Sequence, residues 1–128
     1  VSYEAFDFFV QAARGYPAVT VRDTVGTIVG FAMLRRHHLA DTLRRTVEIS
    51  SFLLPQHTGM GTGTAIVDLF ALEGRKAGED TILASISSLN EESVRFHLKN
   101  GFTECGRSRN VGRKFGKDFH VVWMQRMP

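Results

Sequence analysis

A single cysteine, Cys105, in 128 residues rules out an internal disulfide and suits a reducing compartment, most simply the cytoplasm. No apolar run approaches the length of a bilayer span, so a soluble protein is expected. The five histidines show no metal-ligand spacing. His37 and His38, as neighbours, cannot face the same way on a strand, and no metal is expected. Basic residues exceed acidic ones by only three, and they are scattered from Arg35 to Lys117 without interleaved aromatics. That pattern points away from a nucleic-acid face and from a membrane surface.

What is present is ordinary for one globular domain over residues 1–128, with 43% hydrophobic and 23% charged residues. Phe6, Phe9, Val10 and Ala13 recur at helical spacing, behind Ser2 as a cap and before Gly15 and Pro17 as a stop. Residues 18–22 and 27–34 are β-rich runs about a turn at 23–26, hence a hairpin. Residues 35–45 are polar and basic and read as a loop. A strand follows at 46–54. The helical pattern of 61–77 carries Ala65, Ile66, Leu69, Phe70 and Leu72 on one face. A strand at 81–87 and a helix at 90–99 come next. The last strands, 102–109 and 119–126, are joined by a glycine-rich basic link. This order predicts an α/β (α+β) domain, a mixed sheet with helices on its faces. The two strand–helix–strand steps predict parallel pairing at the centre, and the terminal hairpins predict antiparallel pairing.

The sequence turns on the stretch between the third strand and its helix, where Gly59, Gly61 and Gly63 occupy alternate positions. Glycines so spaced let successive backbone N–H groups face an anion, and the helix N-terminus adds partial positive charge. No lysine follows Gly63, which excludes a P-loop. No third glycine falls where a dinucleotide fingerprint needs one, since Thr64 and Ile66 stand there. The plain alternative is a strand-to-helix turn that uses glycine for chain reversal.

Pro55-x-x-Thr58-Gly59-x-Gly61-x-Gly63, followed by Asn90-x-x-Ser93-x-x-Phe96-His97-x-x-x-Gly101-Phe102, resembles the acetyl-CoA-binding core of the GNAT N-acetyltransferases. Glu48, the string 93–97 and the tail from Gly112 to Arg126 are similar to the phosphinothricin N-acetyltransferase branch. The resemblance spans nearly the whole chain. It implies a mostly antiparallel sheet whose central strands splay around acetyl-CoA, a homodimer, and a first strand and helix lying ahead of residue 1. The backbone of Thr58, Gly59, Met60, Gly61, Thr62, Gly63 and Thr64 would hold the coenzyme's pyrophosphate. Phe52, Leu53 and Leu54 would pair with its pantetheine arm as if with an added strand. Asn90 and Ser93 would help hold that arm, although Asn90 also suits a plain helix N-cap. Thr58 replaces the arginine or glutamine usual at its place, which removes one side-chain contact.

Acetyl transfer to an amine needs a proton acceptor, a donor for the carbonyl oxygen and a proton for the leaving thiolate. Glu48, a carboxylate within an apolar strand, is the candidate acceptor, directly or through a water. Its alternative is a strand residue paired with Arg44 or Arg45. The resemblance makes the Leu53 N–H the oxyanion donor and puts His97 near the coenzyme sulfur as a proton shuttle. His97 could equally be a helix residue stacked on Phe96. Cys105 reads as a buried packing residue. Ala40 and Leu43 stand where the branch commonly has arginine and tyrosine, and Asp118-Phe119-His120 replaces its tryptophan-x-aspartate. A small primary amine, an amino acid or analogue, is therefore the expected substrate. A non-catalytic acetyl-CoA-binding module of the same fold is the alternative.

Overall fold

In the computed structural model, residues 15–54, 56 and 61–127 are described. The helix expected over residues 3–13 lies outside them. Strands β1 (Ala18–Arg22) and β2 (Ile28–Arg36) form the expected antiparallel hairpin. Asp23 Oδ1 accepts the N–H groups of Val25 and Thr27 at 3.0 and 2.9 Å, an Asx-type turn that reverses the chain without apolar contacts. β2 extends to Arg36 because Arg35 and Arg36 keep register with Glu48 and Val47 of β3 (Thr46–Leu53). The basic segment read as a loop thus begins inside a strand, and its middle is a short 3-10 turn, Asp41–Leu43.

Helix α1 (Thr62–Lys76) follows β3, then β4 (Thr81–Ser87), α2 (Glu91–Lys99), β5 (Thr103–Lys114) and β6 (Lys117–Arg126). The six-stranded sheet has the order β1-β2-β3-β4-β6-β5. The first strand–helix–strand step gives the parallel β3–β4 pair. The second does not, because β6 lies between β4 and β5 and pairs antiparallel with both. The glycine-rich link proves to be strand as well, turning only at Phe115 and Gly116. Its residues are mostly exposed, so no apolar alternation marked it. Cys105 is exposed, against the packing role expected of it. It lies in the outermost strand, where a register shift between Glu104 and Gly106 breaks the alternation.

The core lies on one face of the sheet. Alternate residues Ala32 and Leu34, Val47 and Ile49, Ile82 and Ala84, and Val122 and Met124 are buried there with Val67 and Phe70 of α1 and with Phe102. Each of the larger of these side chains, alanines aside, is worth about 1.5–3 kcal/mol of burial, so this face anchors both helices to the sheet. The other parity of the same strands carries Arg35, Glu48, Ser50 and Ser85. Helix ends follow their charges: Glu91 and Glu92 open α2, and Arg75 and Lys76 close α1. Among the described residues no helix is long and apolar enough to cross a membrane.

Candidate active site

β3 and β4 pair over only three positions, Thr46 with Thr81, Val47 with Ile82 and Glu48 with Leu83. Beyond Glu48, β3 stays with β2 and β4 stays with β6, and the two central strands part. The gap is a cavity of about 260 Å³ lined by Ile49, Ser50 and Ser51 on one side and Ala84 to Ser87 on the other. Asn90, Ser93 and His97 of α2 complete it. A cleft inside a sheet exposes backbone edges that would otherwise pair, a natural place for an extended guest. Leu54 donates its N–H to Val29 O at 2.9 Å on the β2 side. Alternation along the strand therefore turns the Leu53 N–H toward β4, the side on which the cleft lies.

Three predicted residues line this cleft together. Asn90 caps α2, its Oδ1 accepting the Ser93 N–H at 3.1 Å, so the capping role holds. His97 is buried at 6% exposure, edge-on to Phe96 and Phe102 with ring centroids 5.3 and 4.9 Å away. Its Nδ1 lies 2.7 Å from Ser93 O, and a carbonyl can only accept, so the proton sits on Nδ1 and Nε2 keeps its lone pair. Burial pushes the imidazole below its ordinary range, against the Ser93 carbonyl, which favours the charged ring. His97 is thus a neutral imidazole near neutral pH.

The Phe52 side chain is half-exposed and stacks on Phe31 at 6.1 Å, and the β3 residues that line the cleft are Ile49 to Ser51. Thr58, Gly59 and Met60 lie outside the described residues. Gly61 caps α1 in the left-handed region, φ 78°, which favours glycine. Thr62, Gly63 and Thr64 form the first turn, whose N–H groups have no intrahelical acceptor. Gly63 has a packing reason too, since a Cβ there would meet Phe96 Cε1 at 2.7 Å.

Glu48 is the last residue of β3 still paired with β4 before the strands part, 7% exposed, on the sheet face away from the core. Neither Arg44 nor Arg45 holds it; Arg45 pairs with Asp80. Arg35 Nη2 donates to Glu48 Oε1 at 3.0 Å and Arg35 Nε to Ser50 Oγ at 3.2 Å. His37 Nδ1 meets Glu48 Oε2 at 2.9 Å. The sequence did not mark Arg35, His37 or Ser50 as site residues. The one available signal was the β2–β3 register, which sets Arg35 opposite Glu48.

The site is thus a mixed sheet whose central strands part around a cleft, with a capped helix on one wall. The acetyltransferase (GNAT) family model matches residues 2–102, and the chain belongs to that family. It is 35% identical over 111 residues to the L-methionine sulfoximine/L-methionine sulfone acetyltransferase of Salmonella typhimurium, covering 87% of this chain and 64% of that protein. To the L-amino acid N-acyltransferase MnaT of Escherichia coli it is 32% identical, covering 92% and 68%. The chain thus spans about two thirds of the length of these relatives. The Sinorhizobium meliloti phosphinothricin acetyltransferase, solved in complex with acetyl-CoA, superposes with a TM-score of 0.86 at 27% identity, covering 97% of this chain and 68% of that one. The yncA protein of Salmonella typhimurium, also solved with acetyl-CoA, gives 0.84 at 30% identity, covering 99% and 74%.

Proposed function

We propose that this protein transfers the acetyl group of acetyl-CoA to the primary amine of an amino acid or amino-acid analogue, with Glu48 as general base. The observation that carries this reading is the parting of β3 and β4 directly above a buried carboxylate. The residues suit the co-substrate. Strand edges beyond Glu48 are open to an extended arm, the N–H groups opening α1 suit a diphosphate, and Asn90 and Ser93 flank the same cleft. When bound, acetyl-CoA supplies an activated acyl carbon and a thiolate leaving group.

The chain's own part is to position and to move protons. Glu48 takes the amine's proton, directly or through a water, so that a lone pair can attack. The Leu53 N–H, turned toward the cleft, stabilises the carbonyl oxygen as negative charge grows on it. His97, with Nε2 unprotonated, exchanges the thiol proton. Relatives named for methionine sulfoximine and phosphinothricin support an amino-acid-like amine. A homodimer in the cytoplasm accompanies this reading, and sedimentation at micromolar concentration tests the assembly.

One observation favours the alternative, an acetyl-CoA-binding module without turnover: both Glu48 oxygens are already engaged. Free-thiol release on a panel of L-methionine sulfoximine, L-methionine sulfone, phosphinothricin, free amino acids and polyamines separates the two. Turnover on the amino-acid analogues is expected. Acetyl-CoA binding with no release on any amine would establish the module instead.

A further inference from the structure

The carboxylate named as base is held at both ends. Arg35 occupies Oε1 at 3.0 Å and His37 occupies Oε2 at 2.9 Å, while Arg35 is also tied to Ser50 at the cleft wall. An anionic carboxylate only accepts, so His37 carries a proton on Nδ1, and the neutral form of the ring then presents Nε2 as the lone pair. That nitrogen has no hydrogen-bond partner among the described residues. The His37 side chain is 28% exposed against 9% for Glu48, so the imidazole is the member of the cluster that an incoming amine can reach.

We propose that His37 is the group that touches the amine and takes its proton, and that Glu48 is its positioning residue. This rests on the acetyltransferase reading and moves the proton acceptor from Glu48 to the imidazole that Glu48 holds. The arrangement is a carboxylate–imidazole dyad. Glu48 fixes the tautomer and ring orientation, and its charge stabilises the imidazolium as it forms. Arg35 holds the carboxylate in place, and the His38 ring centroid lies 6.3 Å from that of His37. One proton of the substrate ammonium passes to His37 Nε2 and on to solvent. The amine nitrogen bonds to the acetyl carbon as the carbon–sulfur bond breaks. The nitrogen then loses a second proton, which ends on the coenzyme sulfur.

The experiment compares His37→Asn, His37→Ala and wild type on the best amine of the panel, with acetyl-CoA affinity by calorimetry and melting curves alongside. Asparagine can still donate to Glu48 but cannot accept a proton as imidazole does. Both variants should keep acetyl-CoA binding and lose about 10²–10⁴-fold in kcat/KM. Added imidazole should restore part of the His37→Ala rate and none of the His37→Asn rate. His37→Asn turning over like wild type would overturn the inference. So would losses in both variants that imidazole leaves untouched, which would make His37 a structural partner of Glu48. Wild type that acetylates no amine would sink the acetyltransferase reading itself, whereas active wild type with an indifferent His37→Asn sinks only this inference.

Discussion

The two faces of the sheet meet at the same cleft and are built differently. On the helix side, His97 sits among Phe96 and Phe102 with its Nδ1 on a backbone carbonyl. On the other side, His37 leans on a carboxylate that is itself held by an arginine. A carbonyl fixes a tautomer and lends little charge, whereas a carboxylate fixes it and stabilises a positive ring. One histidine therefore belongs to an apolar wall and the other to a charged cluster. Stability should be concentrated on the first face and chemistry on the second.

That division can be broken from either side. Phe70, fully buried between α1 and the sheet, should cost about 3–5 kcal/mol of unfolding free energy when changed to alanine, measured by urea titration. A loss below about 1 kcal/mol would mean the helix face is not the anchor. Glu48→Gln should lower kcat about 10²-fold or more and leave acetyl-CoA affinity unchanged by calorimetry; undiminished turnover removes Glu48 from the reaction. Gly63→Ala, which drives a methyl into Phe96, should cost about 1–3 kcal/mol and loosen α2 against α1. Asn90→Ala should lose about 1 kcal/mol of helix capping and raise the KM for acetyl-CoA, the two effects separating if either role is absent.

The smallest effect is a pH dependence. His97 is depressed below its ordinary value of 6.5 in the folded protein, so below that pH the unfolded chain binds a proton that the folded one refuses. Stability is unaffected by this group above about pH 6.5 and falls as pH drops toward the folded value. His97→Gln should flatten the stability curve just below the ordinary histidine value of 6.5; an unchanged slope would show that burial does not perturb this ring.

Much of the frame was legible because local chemistry wrote it. The strand over Thr81–Ser87 and the α2 cap at Asn90 follow from a short, β-prone apolar run and from an Asn before two glutamates, patterns that a few neighbouring residues decide. The strand of β5 beyond Arg109 stayed hidden because an exposed edge ribbon needs no apolar periodicity. The insertion of β6 between β4 and β5 is a choice of pairing partner across the whole chain, which no local pattern carries.

The same boundary runs through the site. Residue order alone indicated a helix beginning after Gly61, Asn90 as the cap of the next, and a lone acidic residue within an apolar strand. These are matters of spacing along one segment. Only the folded sheet decided that the strands part just past Glu48, that Gly63 yields to Phe96, and that Arg35 and His37 close on the carboxylate in place of Arg44 or Arg45. Those contacts join residues from different elements, and burial, register and ion pairing exist only once the elements have packed.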